Sequence, residues 1–273
     1  MASVGYTGRM KKGPKMKEYT LIIKGEMDFI ILSPQVLSSL ITQIHNSPER
    51  KVVVSIESIM PPKFTDYLLR VINSNRFSNE RFRYRCTKRR MAKDADMILS
   101  EFILLGIGGK ELSEENAAQT AKALNIIQPD FIRVHATGIK LESKLGEFVR
   151  DGSFTLQSEE EIVIEQKLFL QQLHEMDSYY VNEHIVNLLL EVRGNLRTEK
   201  QEMLSTIDRF LTLPPDERLL FTVGRRLNIF FRLDDLKKPK LHQKAGESLQ
   251  QILSKNPHVD FAALCNYVRQ SQI

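Results

Sequence analysis

Two glycine-bearing stretches carry the residue types that could hold a small ligand. One is Lys24-Gly25-Glu26, and the other is Gly106-Ile107-Gly108-Gly109-Lys110-Glu111, inside FILLGIGGKELSEENA. Glycines at the start of a helix let backbone amides approach an anion, and the helix N-terminus adds partial positive charge, so the second stretch first suggests phosphate. Its neighbours argue otherwise. Glu111, Glu114 and Glu115 surround that helix start, where they satisfy the dipole themselves and repel a phosphate. The stretch lacks the Gly-Lys-Ser/Thr ending of a Walker loop, and G-I-G-G falls short of the dinucleotide fingerprint. Two readings stay open: a tight strand-to-helix turn, or a wall for a ligand without net negative charge.

Other reactive side chains are scattered. His135 follows an apolar strand-like run and could serve as a base or ligand, or simply be structural. His184 beside Glu183 makes no HExxH pattern, and no Ser-His-Asp or Cys-His set can be assembled by spacing. Glu159, Glu160 and Glu161 follow Ser158, the arrangement of an N-cap with acidic first-turn residues, and no catalytic role is assigned to them. The two cysteines, Cys86 and Cys265, are too far apart in sequence to indicate a zinc set or a disulfide framework.

The elements that must position these residues alternate. YTLIIKGEMDFIIL reads as a strand and a turn, with a helix after Ser33 and Pro34 carried by Val36, Leu37, Leu40, Ile41 and Ile44. KVVVSIES is a continuous apolar strand, PPKFTDYLLRVINS a helix, FRYRC a weaker strand, and TKRRMAKDADMIL a short helix. EFILLGIGG, SEENAAQTAKALNII and DFIRVHATG then read as strand, helix and strand. Strands and helices in this order imply right-handed crossovers and a mostly parallel sheet, in which ligands bind at the carboxyl ends of the strands. Four segments would therefore share one face: 24–26, 55–58, 106–110 and 135–138. From about Ser158 the pattern turns helical, including VNEHIVNLLLEV and TEKQEMLSTIDRFLTL, with Thr198 as the expected N-cap of the latter.

Composition narrows the class. With 273 residues and 42% hydrophobic content the chain can bury a core. No apolar run approaches the length of a membrane span, and the start lacks the apolar region of a secretory signal, so a soluble cytoplasmic chain with no membrane contact is expected. The net charge of +5 is uneven: residues 1–100 hold 18 Lys and Arg against 9 Asp and Glu, and residues 101–200 hold 10 against 17. The basic run Arg76–Lys93 interleaves Phe77, Phe82 and Tyr84 with arginines. That mixture suits nucleic acid, and it equally suits a strand with Phe82, Tyr84 and Cys86 inward.

The segment EFILLGIGGKELSEENAAQTAKALNIIQPDFIRVHATGIKLESKLGEFVRDGSFTLQSEEE, continuing to about Lys167, resembles the second half of the radical S-adenosylmethionine enzyme barrel. The branch is that of oxygen-independent coproporphyrinogen oxidase-like proteins. The resemblance implies that Gly25 and Glu26 stand where a Gly-Gly-Glu-like motif meets the amino group of S-adenosylmethionine, with Lys24 in place of the first glycine. It also implies that Gly106, Gly108, Gly109 and Glu111 help position the adenosyl group; of the family's G-x-I-x-G-x-x-E pattern, Gly108 and Glu111 are kept, while Leu104 and Gly106 depart. The family's [4Fe-4S] cluster needs three thiolates from a CxxxCxxC loop, which this sequence does not contain. The region 58–100 departs from the family as well.

The expectation is an α/β fold: an incomplete parallel (β/α) barrel of about five strands over 18–157, after a basic disordered tail at 1–17 and before a mainly helical extension at 158–273. The chain is expected to begin near the second barrel strand. Its function would be that of a truncated or degenerate radical-SAM-like protein, without radical catalysis by itself and retaining part of an S-adenosylmethionine site. A polypeptide supplying the missing barrel segment is the partner this implies. Two rivals stand beside it: an RNA-binding or protein-interaction module on Arg76–Lys93, and a cluster-independent enzyme using S-adenosylmethionine.

Overall fold

The computed structural model describes the backbone of residues 19–26 and 52–59, and residues 98–272 in full. The expected N-terminal tail, the helices near 34–44 and 61–74, the FRYRC strand, Cys86 and the basic run Arg76–Lys93 lie outside the described residues. The chain divides into two compact units, one drawing on residues up to Phe102 and Ile126–Ile132, the other on Ile103–Asn125 and Arg133–Ile273.

In the first unit, strand β1 (Tyr19–Glu26) runs parallel to β2 (Val52–Ile59), with Tyr19 opposite Val52 and Glu26 opposite Ile59. Both strands are rich in β-branched residues, which fit a pleated surface. β2 in turn pairs in parallel with the start of β3 (Ile98–Leu105), Val53 opposite Ile98. Ile98 and Leu99 thus open a strand, where the sequence suggested the end of a short helix. The carboxylate of Asp130 accepts from the Leu99 amide at 2.7 Å, and the Asp130 amide donates to the Leu99 carbonyl at 2.9 Å.

Beyond β3 come β4 (Phe131–Ala136), β5 (Tyr179–Val181) and β6 (Gly194–Asn195), each beside its predecessor in the order of the sheet. β5 and β6 are antiparallel. The fold is therefore α/β with a mostly parallel sheet and many helices. Helix α1 (Ser113–Ile127) places Glu114 and Glu115 in its first turn and stops where Gln128 takes a φ of 49° ahead of Pro129. Ala117, Ala121 and Leu124 form its buried stripe. Helix α2 (Lys144–Arg150) is capped by Ser143, whose hydroxyl accepts from the Gly146 amide. Helix α3 (Glu159–Gln172) opens on the expected Ser158 cap, completed as a capping box by Glu161.

The rest of the second unit corrects the sequence reading in two places. Residues 181–192 form no helix and instead carry the end of β5 and a series of turns. Two buried asparagines explain this. Asn187 accepts from the Ala136 amide and donates to the Val134 carbonyl, both at 2.7 Å, as a neighbouring strand would, and Asn182 donates to the Leu189 carbonyl at 2.7 Å. Such side chains offer the backbone partners that compete with a helix. Helix α4 (Lys200–Leu211) starts after Glu199 and not after Thr198, because the Glu199 carboxylate is drawn back to the Asn195 amide.

Helix α5 (Pro215–Arg226), a 3-10 turn (Leu233–Lys237), α6 (Pro239–Lys255) and α7 (Phe261–Gln270) complete the unit. Phe210, Phe221 and Phe230 form its aromatic centre, with ring centroids 5.8 and 5.9 Å apart. Gly224 is required there: a Cβ at this position would lie 2.3 Å from the Phe230 ring. No helix among the described residues is long and apolar enough to cross a membrane.

Candidate functional site

Where β3 ends, the chain turns through Gly106–Leu112 into α1. Gly106 and Gly109 hold φ of 81° and 63°, values that disfavour any residue with a Cβ, and at Gly108 a Cβ would meet the Leu112 carbonyl oxygen at 2.9 Å. Glu165 of α3 pins the turn from below. Fully buried, its Oε1 accepts from the Gly106 amide at 3.1 Å and from Asn116 Nδ2 at 2.7 Å, while its Oε2 accepts from Ser113 Oγ at 2.9 Å. Asn116 also donates to the Leu104 carbonyl, and Gln157 donates to Ser113 Oγ at 2.9 Å.

These bonds decide what the turn can bind. The Gly106 amide is already committed to a carboxylate, so it is not available to cradle a phosphate. Glu111 is exposed; a hydrogen bond from the Thr155 side chain holds its carboxyl below the ordinary value, with the neighbouring amides and Lys110 adding to the effect against a small burial cost. The Gln157 Oε1, buried beside Gly106, has no hydrogen-bond partner. The polar atoms gathered at this turn are thus mainly acceptors.

Gly106, Gly108, Gly109 and Glu111 are therefore gathered in one turn. Gly25 and Glu26 belong to the first unit as the last two residues of β1, opposite Ser58 and Ile59, in a strand where a turn was expected. Residues 55–58 likewise lie within β2.

A second gathering at the carboxyl ends of the strands was not legible in sequence. His135 on β4 and His184 just after β5 bring their rings to 4.2 Å between centroids, tilted by 34°. Arg133 stands two residues before His135 on the same face of the strand. Burial, with His184 and Arg133 adding like charge, pushes the His135 pKa down to about 4, and burial lowers His184 as well. In the unfolded chain His135 titrates near 6.5, so between pH 6.5 and about 4 the unfolded state binds more protons. Stability is then full above pH 6.5, declines as pH falls to about 4, and changes no further from this group below that. The unscreened effect would be about 3 kcal/mol; partial exposure reduces it to about 1–2 kcal/mol. Urea unfolding at pH 7 and pH 4.5 should show this loss in the natural chain and a smaller one in His135→Gln.

A third gathering is internal. Glu159, the first residue of α3, is buried and accepts two bonds from Arg226, Nε to Oε1 at 2.9 Å and Nη2 to Oε2 at 2.6 Å, and a further one from Arg269 of α7. Burial alone would raise its pKa; the two guanidiniums outweigh that and hold it below the ordinary value. Cys265 packs against this cluster and is pushed up to about 12 by burial and by Glu159. A thiol so held is a poor thiolate donor, and with Cys86 as the only other cysteine the chain cannot furnish the three thiolates of an iron-sulfur cluster. Among the described residues no group of three or more His, Cys, Asp or Glu is placed to hold a metal ion.

The fold and these edges define an α/β protein with a mostly parallel sheet and a glycine turn at a strand's carboxyl end. Comparison with family models, with curated proteins and with solved structures finds no match for the chain.

Proposed function

We propose that this chain is a radical-SAM-like protein built on an incomplete parallel barrel, without radical catalysis of its own, that binds the adenosyl part of S-adenosylmethionine at Gly106–Glu111. The observation that carries the reading is the acceptor character of the turn: Gln157 Oε1 lacks a partner, Glu111 is ionised, and Glu165 occupies the Gly106 amide. An adenine amine is a donor and brings no phosphate. The chain's residues would orient that amine, while the cofactor, when bound, supplies a sulfonium that nothing here is equipped to cleave reductively. A partner polypeptide that completes the barrel belongs to the same proposal.

Calorimetry tests it. S-adenosylmethionine and S-adenosylhomocysteine should bind with similar affinity, and Glu111→Gln should weaken both about tenfold, the loss of one charge-assisted hydrogen bond. ATP binding more tightly than either, or no heat from any of the three, would overturn the reading. Treatment with iron and sulfide should leave the chain without a stable cluster, and a stable cluster would also overturn it.

A further inference from the structure

The second unit contains a cleft far in sequence from the glycine turn, where the last turns of α5 and α6 meet α7. Its volume is about 440 Å³, within the range of small-molecule sites. Val223 and Leu227 at the end of α5, Ile252 of α6, Val259 from the connection, and Leu264 and Val268 of α7 make its walls. No carboxylate or hydroxyl lines it. Helix α6 leaves the space open because it is only partly packed: over its 17 residues Ala245 alone is buried, and Leu249, Ile252 and Leu253 stay half-exposed.

The four polar residues at the cleft do not make its interior polar. The Arg226 guanidinium is bonded to Glu159 and to the Val186 carbonyl, so its charge is paired inside the protein. The Cys265 thiol is buried and, pushed up to about 12, stays neutral. Lys255 and Asn256 are exposed and stand at the mouth, where water solvates them. Inside the cleft a charged group would lose its hydration with nothing to replace it, whereas a neutral apolar group exchanges water for hydrocarbon contact.

Shape selects a small molecule over a peptide helix. The three walls span only 223–227, 252–256 and 264–268. Four residue steps along a helix cover about 6 Å. An amphipathic helix docks through anchors at i, i+4 and i+7, a span of about 10 Å that these walls do not provide. We propose that this cleft binds a compact, neutral apolar molecule, an aromatic or branched hydrocarbon group held between Leu227, Ile252 and Val268. Bound there, it ties the ends of α5 and α6 to α7, and it stabilises the folded chain by mass action.

The test uses the full chain and two probes, toluene and benzoate, which share a ring and differ in charge. Toluene should bind with one-to-one stoichiometry in calorimetry and raise the melting temperature. Benzoate should bind at least about tenfold more weakly, because its carboxylate finds no partner inside the cleft. Leu227→Asp, on an exposed position, should weaken toluene about tenfold or more. Val268→Trp, which fills the cleft, should abolish binding with the circular dichroism unchanged. Should Val268→Trp fail to fold, Leu227→Asp and the benzoate comparison still decide. Benzoate binding as tightly as toluene, an unaltered affinity in Leu227→Asp, several toluenes per chain, or no binding would each overturn the proposal. So would self-association in sedimentation that Leu227→Asp abolishes, since a second copy would then fill the cleft.

Discussion

Glu159→Gln is expected to destabilise the chain by about 3–5 kcal/mol, the cost of leaving buried charge without its counter-ion. The carboxylate holds Arg226 of α5 and Arg269 of α7 at once. Those arginines reach further: Arg226 donates to the Val186 carbonyl at 3.0 Å and Arg269 to the Thr137 carbonyl at 3.0 Å. Removing the charge therefore loosens the attachment of two helices and of the turns after β4 and β5 together. Asn266 holds α7 independently of the carboxylate, through its paired bonds to the Ile139 amide and carbonyl at 2.8 and 2.9 Å. Urea titration followed by far-ultraviolet circular dichroism measures the loss. A control separates charge from packing: Glu159→Leu combined with Arg226→Met and Arg269→Met should recover most of the stability, because well-packed apolar groups often replace a buried ion cluster at little cost. A change under about 1 kcal/mol in Glu159→Gln would show that the cluster is not what secures α7.

Glu165→Ala should cost about 3–5 kcal/mol by a different route. The carboxylate has no cationic partner in the bonds it forms; it accepts from the Gly106 amide, Asn116 and Ser113. Alanine would leave these buried donors without an acceptor, at about 1–3 kcal/mol for each that water cannot reach. The effect should be local at first, so hydrogen exchange of the Gly106–Leu112 amides ought to rise more than exchange in α5 or α7. Protection of the turn unchanged from the natural chain would show that the glycines hold their shape without Glu165.

Much of the local architecture was legible because it depends on neighbouring residues. Apolar runs and the Ser158 cap act within a few positions, and the strand-turn-helix around Gly106 follows from its glycines and first-turn acids. Residues 181–192 were misread for a related reason. VNEHIVNLLLEV has helical spacing, yet Asn182 and Asn187 spend their side chains on the backbone of other segments, which periodicity cannot register. The short strand Tyr179–Val181 was missed likewise: three residues give little alternation, and its place was decided by the burial of Tyr180 against Phe169 and Gln166 of α3.

The candidate site divides along the same line. By itself, the sequence determined that three thiolates for a cluster are lacking, that a glycine turn opens α1, and that acids surround it, since residue types and short spacings are enough for each. Only the tertiary structure decided that Glu165, more than fifty residues away, occupies the Gly106 amide, that His135 meets His184, and that Glu159 is a buried counter-ion where the sequence showed only an acidic first turn after an N-cap. The physical reason is that a side chain's role depends on what shields it from water and what lies within about 3 Å of its polar atoms. Those partners come from segments that are distant along the chain and are brought together by burial of apolar surface, a force that specifies no particular pair.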